Sequence, residues 1–235
     1  VTEDSYVFRT DLRLRPDPRA TQVAISIDAA EVYYLNQGQN WERAAMIKAR
    51  PSAGDISLGD EFLDRLKPYI WRKYLDFAAI ADVQSMKRQI HAVKGHGEVK
   101  VRGHNLKLGR GGIREVEFFA QINQLIWGGR DPELRCPATL DGLAALSAAG
   151  HVPEAESRRL ATSYRALRTL EHRLQMRRDE QTHAIPRLIA DRHAVARLCG
   201  CKDAKALEAR LSAITDPVAT SYDRLIRESG SVDYY

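Results

Sequence analysis

The chain has 235 residues, 44% of them hydrophobic, which is enough to bury a sizeable core in one large domain or two small ones and excludes disorder throughout. The net charge of +5 and the pI of about 9.2 come largely from arginine and favour anionic partners such as nucleotides, phosphate or nucleic acid. No apolar run approaches the roughly 18 to 20 residues that cross a bilayer, and the N-terminus has no signal-peptide pattern, so the expectation is a soluble protein with no membrane partner. Cys136, Cys199 and Cys201 suggest no disulfide framework and suit a reducing cytoplasm; Cys199-Gly200-Cys201 is too sparse for zinc without a second ligand pair.

In chain order, Tyr6 to Arg15 reads as a strand ending at Pro16. Its alternation puts Tyr6, Phe8, Thr10, Leu12 and Leu14 on one face and Val7, Arg9, Asp11, Arg13 and Arg15 on the other. A carboxylate among guanidiniums is held ionised, and the surplus positive charge suits a polyanion. A half-buried strand with a solvated charged face fits the same pattern. Val23, Ile25 and Ile27 alternate as in a second strand over Gln22 to Ile27, and Asp28 with Glu31 resembles a capping box that opens a short helix through Tyr33 to Gln37. Asn40 can cap the segment from Trp41 to Arg50, helix or strand by propensity, whose cations Arg43, Lys48 and Arg50 extend the positive side. Glu61 to Tyr74 carries Phe62, Leu66, Tyr69 and Ile70 on one helical face, with a break or kink at Pro68; Ala78 to Val93 repeats the helical period.

Between His96 and Arg110 periodicity vanishes. Glycines cluster with Lys94, Lys100, Arg102, Lys107 and Arg110 against a single acid, Glu98, which marks a basic loop or hairpin. The run Gly109-Arg110-Gly111-Gly112 then precedes a helix from Ile113 to Trp127. Such glycines permit close backbone approach and leave the first helical amides available to an anion, although the run is neither a phosphate-loop nor a dinucleotide fingerprint. Glu115 and Glu117 fall on different faces of that helix, so they form no paired-carboxylate site; one is expected to cap the helix or pair with an arginine. Thr139 to Ala149 reads as a short helix and Glu154 to Arg178 as a long bundle helix, with Leu160, Tyr164, Leu167, Glu171 and Leu174 on its stripe. Glu171 is most simply a buried or edge acid paired with Arg168 or another arginine, with a catalytic role the lesser reading. Helices over Asp191 to Gly200 and Ala204 to Arg227 complete the chain, with a frayed tail.

Several of these stretches, taken in order, resemble one family. Tyr6 to Pro16, Asn40 to Arg50, Lys107 to Phe118, Gly128 to Pro132, Leu170 to Gln175 and Asp179 to His183 look like the bifunctional glutamine synthetase adenylyltransferase/adenylyl-removing enzymes. The likeness covers all but about the last forty residues, and an ordered series of this length is far more specific than any short motif. Gly128 to Pro132 and Asp179 to Thr182 look like the N-terminal half, which the resemblance associates with adenylyl removal.

The resemblance implies an α+β, mostly α fold: the end of a nucleotidyltransferase-type β-sheet and the C-terminal part of the catalytic domain over residues 1–58, then a helical bundle domain over 59–235. It implies phosphorolysis of adenylyl-tyrosine on glutamine synthetase, with orthophosphate as acceptor, ADP as product and Mg2+ as cofactor. The implied partners are glutamine synthetase, a PII-type signalling protein, nucleotide and phosphate, in the cytoplasm. Asp11 matches the family's third metal-binding carboxylate. Arg13, Arg15, Arg43, Lys48 and Arg50 are candidates for phosphate or nucleotide binding by charge. The Gly-Ser turn followed by Asp-x-Asp, which supplies the other two acids in the family, occurs nowhere in these residues, so the expectation is a fragment with little activity alone. A non-catalytic helical module docking glutamine synthetase or a PII-type regulator is the competing reading. Nucleic-acid binding is not expected, because no reading helix or stacking platform is recognisable.

Overall fold

The computed structural model describes residues 16–17, 22–73, 101–177 and 180–228, and these divide between two units, Val1–Trp71 and Arg72–Tyr235. The expected strand at Tyr6 to Arg15, with Asp11, Arg13 and Arg15, lies outside the described residues, as do the helix expected over Ala78 to Val93 and the basic positions Lys94 and Lys100.

In the first unit, α1 (Ile27–Asn36) starts one residue after Ser26, whose Oγ accepts the Ala29 amide at 3.2 Å. Two expectations are corrected here. Gln22 to Ser26 form no strand, and Val23 is 67% exposed, because the Ser26 cap and the run Asp28-Ala29-Ala30-Glu31 satisfy the local backbone as a helix. Asp28 sits in the first turn and is not the cap. Helix α2 (Asn40–Met46) settles the next segment as helix, shorter than expected and capped one residue earlier: the Gln39 amide donates to Glu42 Oε2 at 2.7 Å.

Helices α3 (Ile56–Arg65) and α4 (Lys67–Ile70) replace the single amphipathic helix read from Glu61 to Tyr74, with the break at Leu66 and Pro68 in the first turn of α4, where its missing N–H costs nothing. Asp55 caps α3 through the Leu58 amide at 3.0 Å. The expected apolar face forms the core of this unit. Leu66, Tyr69 and Ile70 are buried with Ala30, Tyr34, Ala44 and Ile47, and the Tyr34 ring lies 5.6 Å from that of Tyr69. Gly38 is held to glycine by this packing, since a Cβ there would lie 2.5 Å from the Tyr34 carbonyl oxygen.

The second unit is built of α5 (Ile113–Trp127), a 3-10 turn at Pro132–Leu134, α6 (Thr139–Ala148), α7 (Glu154–Met176), α8 (Ile189–Leu198) and α9 (Ala204–Glu228). Helix α5 packs on α6, α7 and α9 and is buried along most of its length, polar residues included. One core cluster joins Val116, Phe119, Leu134, Leu143, Leu146, Leu160 and Val218; the other joins Ile113, Leu167, Leu170, Leu174, Val195, Leu207 and Leu211. The stripe expected on the long helix is therefore the seam that both clusters share. Among the described residues no strand occurs. The nearest approach is an isolated antiparallel bridge between Asn105 and Ala184, flanked by Leu106 N to His183 O and Ile185 N to His104 O, each at 2.8 Å. Nor is any helix among them long and apolar enough to cross a membrane.

Candidate functional site

Of the residues proposed from sequence for phosphate or nucleotide, three lie in the described part, all on or just after α2. Arg43 is 3% exposed, and its Nη2 donates to the Ile70 carbonyl at 3.2 Å, tying α2 to α4. Lys48 is half-buried in the turn that follows α2, and Arg50 is exposed. The segment thus keeps its cations close in sequence but directs Arg43 inward. Among the described residues no group of three histidine, cysteine or acidic side chains converges to hold a metal, and Asp11 lies outside them.

The glycine run before α5 does a different job from the one expected. The amides near the start of α5 already have partners: Gly111 N donates to Glu115 Oε2 at 2.8 Å, Gly112 N to Gly109 O at 3.0 Å, Ile113 N to Leu106 O at 2.8 Å and Arg114 N to Lys107 O at 3.0 Å. An anion would have to displace these internal acceptors, so the expectation of available amides is corrected. Gly111 has φ +71, and a Cβ on it would come within 2.2 Å of the Thr215 carbonyl oxygen, so the run serves close packing of the loop on α9. Arg110 from the same run donates to Asp223 at 2.6 Å. Glu115, buried beside it, has its carboxyl pushed up to about 7 by desolvation, against the opposing pull of the Gly111 amide and Arg110.

The densest charged constellation lies between α5 and α7. Glu117 and Glu171 present carboxylates whose side chains are 6% and 3% exposed, and Arg168 bridges them. Its Nη1 donates to Glu171 Oε2 at 2.8 Å, its Nη2 to Glu117 Oε1 at 3.4 Å and its Nε to the Tyr164 hydroxyl at 3.3 Å. Burial opposes the Arg168 charge, but the bonds from Glu171 and Tyr164 outweigh it and raise its pKa. Arg114 reaches the other Glu117 oxygen at 3.4 Å while lying 4.6 Å over the Phe118 ring. His183 Nδ1 sits 2.8 Å from Glu171 Oε1 and brings the 180–185 segment into the same cluster.

The pairing of Glu171 with Arg168 follows the sequence expectation, and so does the pairing of one of the two α5 acids, Glu117, with an arginine. Arg114, Tyr164 and His183 were not anticipated. The available signal was spacing: Arg114 to Glu117 and Arg168 to Glu171 are three apart on a helix, and Tyr164 to Arg168 four apart. Nothing comparable in sequence pointed His183 at Glu171. With both carboxylates held by arginines, the cluster clamps α5, α7 and the 180–185 segment together.

The family model described as GlnD PII-uridylyltransferase matches residues 84–226, and that described as glutamate-ammonia ligase adenylyltransferase matches residues 1–65. A bifunctional glutamine synthetase adenylyltransferase/adenylyl-removing enzyme of Agrobacterium fabrum is 57% identical over 228 residues, covering 97% of this chain and 23% of the relative. Proteins of the same description from Rhizobium meliloti and Caulobacter vibrioides are 52% and 54% identical, over 98% and 95% of this chain and 23% of each relative. The chain therefore spans less than a quarter of the length of these relatives. It belongs to the family of bifunctional glutamine synthetase adenylyltransferase/adenylyl-removing enzymes.

Proposed function

We propose that this chain is part of the adenylyl-removing half of such an enzyme, acting on glutamine synthetase under a PII-type regulator in the cytoplasm. The match across 97% of the chain to a relative described by both activities supports the enzyme family, and the likeness of Gly128 to Pro132 and Asp179 to Thr182 to the N-terminal half supports the removing half. In the reaction an orthophosphate oxygen attacks the adenylyl phosphorus, the bond to the tyrosyl oxygen breaks, and the products are ADP and the unmodified tyrosine. Residues 1–58 would close the nucleotidyltransferase sheet and residues 59–235 form the helical domain that follows it in the chain. Asp11 would be one of three carboxylates for Mg2+, which neutralises phosphate charge and aligns the attacking and leaving oxygens when bound. Arg13, Arg15, Lys48 and Arg50 would offset the charge of the incoming phosphate and nucleotide. Arg43, buried, would hold α2 so that its neighbours present theirs.

A test replaces the corresponding segment of the Agrobacterium fabrum relative with this chain and measures ADP formed from adenylylated glutamine synthetase, orthophosphate and magnesium. The chimaera should turn over, and this chain alone should form little or no ADP. Robust turnover by the isolated chain would overturn the reading of it as an incomplete catalytic unit. The second reading, a helical module that docks a partner without chemistry, is favoured by the internal pairing of charges between α5 and α7. It predicts that the isolated chain binds glutamine synthetase unchanged when Asp11 is replaced by Asn.

A further inference from the structure

At the end of α8, two thiols share one turn. Cys199 closes the helix at φ −91, Gly200 follows at φ +68, and the Cys201 amide donates back to the Ala196 carbonyl at 2.8 Å, so the chain folds over the helix end. This return places the Cys201 Sγ 3.9 Å from the Cys199 carbonyl oxygen. Cys199 is buried in the core cluster that α7, α8 and α9 share, and half-exposed Cys201 packs on the same cluster. Both residues are free thiols.

Two arginines attend them. Arg210 Nη1 donates to the Cys199 carbonyl at 3.0 Å and lies 4.0 Å from the Cys201 Sγ, and the positive charge of Arg173 favours the Cys199 thiolate. Cys199, Arg173 and Arg210 line a narrow cleft together with Leu170, Leu207 and Ile214.

We propose that Cys199 and Cys201 form a dithiol–disulfide site that closes on reaction with a hydroperoxide. Cys201, the more exposed thiol and the one beside Arg210, attacks first as its thiolate. Its sulfur bonds to the outer peroxide oxygen, the O–O bond breaks, and the departing oxygen takes a proton to leave as water or alcohol. The Cys199 sulfur then attacks the Cys201 sulfenic acid, the S–O bond breaks, and water leaves with the Cys199 proton. Overall two thiols and one hydroperoxide give one disulfide, one alcohol and one water. Burial raises the Cys199 thiol pKa against the pull of Arg173, which suits Cys199 to the second, resolving role. The site is independent of the phosphorolysis reading.

The test treats the full 235-residue chain with hydrogen peroxide, alkylates it under denaturing conditions and maps the peptide 198–202, which cleavage after Arg197 and Lys202 releases with both thiols. The expected peptide is lighter by two hydrogens and unalkylated, with both thiols recovered after dithiothreitol. Cys199→Ser should halt the reaction at a sulfenic acid on Cys201 that a dimedone-type nucleophile traps, and Arg210→Gln should slow closure severalfold. The proposal is overturned if both thiols stay alkylatable at a dose that closes the same pair in the urea-unfolded chain. It is equally overturned if the peptide gains oxygen without ever losing two hydrogens.

Discussion

Two arginines in this chain each gather carboxylates, and they do so in opposite environments. Arg65 on α3 bonds Asp28 at 2.8 Å, Glu31 at 3.2 Å and Glu61 at 2.6 Å, with Asp28 and Glu61 largely in solvent. Arg168 on α7 bonds two acids that are almost fully buried. The ligand chemistry is the same, but water screens the first fan and leaves the second to the protein. Exposed pairs gain little beyond what hydration already gave their charges. A buried acid stripped of its partner keeps its desolvation cost with nothing to offset it. The Arg168 cluster should therefore be a point of failure, and the Arg65 fan close to dispensable.

The largest expected effect comes from breaking the buried side. Arg168→Met leaves Glu117 and Glu171 short of a partner and should lower unfolding stability by about 3–5 kcal/mol in urea titrations. A loss as small as an exposed pair would give means the cluster is wetter than its burial implies.

Glu115 sharpens the comparison through pH. Its folded-state pKa of about 7 lies above the ordinary 4.5, so between those values the folded chain holds a proton that the unfolded chain has released. The stability present at low pH is then lost as pH rises from about 4.5 to about 7, by roughly 3 kcal/mol for a shift of this size. Glu115→Gln, which keeps an acceptor for the Gly111 amide, should remove that slope. Urea midpoints across this window check it.

The loop that delivers α5 to the cluster is the next target. Gly111→Ala combines a positive φ with a clash against the Thr215 carbonyl and should cost more than about 1 kcal/mol, read as a lower thermal midpoint. The smallest effect is on the exposed side: Arg65→Ala should leave the midpoint within replicate scatter, and high salt should abolish whatever difference remains.

Much of the helical unit was legible because its signals are local. The steps Leu160, Tyr164, Leu167, Glu171 and Leu174 define a buried stripe whatever packs against it, and Arg168 lies within one helical turn of Glu171. Pro68 marked a real break for the same reason. What failed turned on partners that the pattern itself does not carry. Val23, Ile25 and Ile27 alternate like a strand, but alternation supplies no partner, and the Ser26 cap prevailed. The glycine run offered amides to an anion only until the Leu106 and Lys107 carbonyls folded back onto α5, a path no spacing rule encodes. His183 reaches Glu171 through the pairing of 103–106 with 183–185, which is likewise invisible along the sequence.

The most direct measurement compares the two activities of the Agrobacterium fabrum chimaera with and without Asp11→Asn. Phosphorolytic removal of AMP from glutamine synthetase should fall by at least about a hundredfold, the upper end of what loss of an outer-shell partner costs a metal site, with ATP-dependent transfer retained. Removal that proceeds undiminished, or a loss confined to transfer, would contradict the assignment of this chain to the adenylyl-removing half.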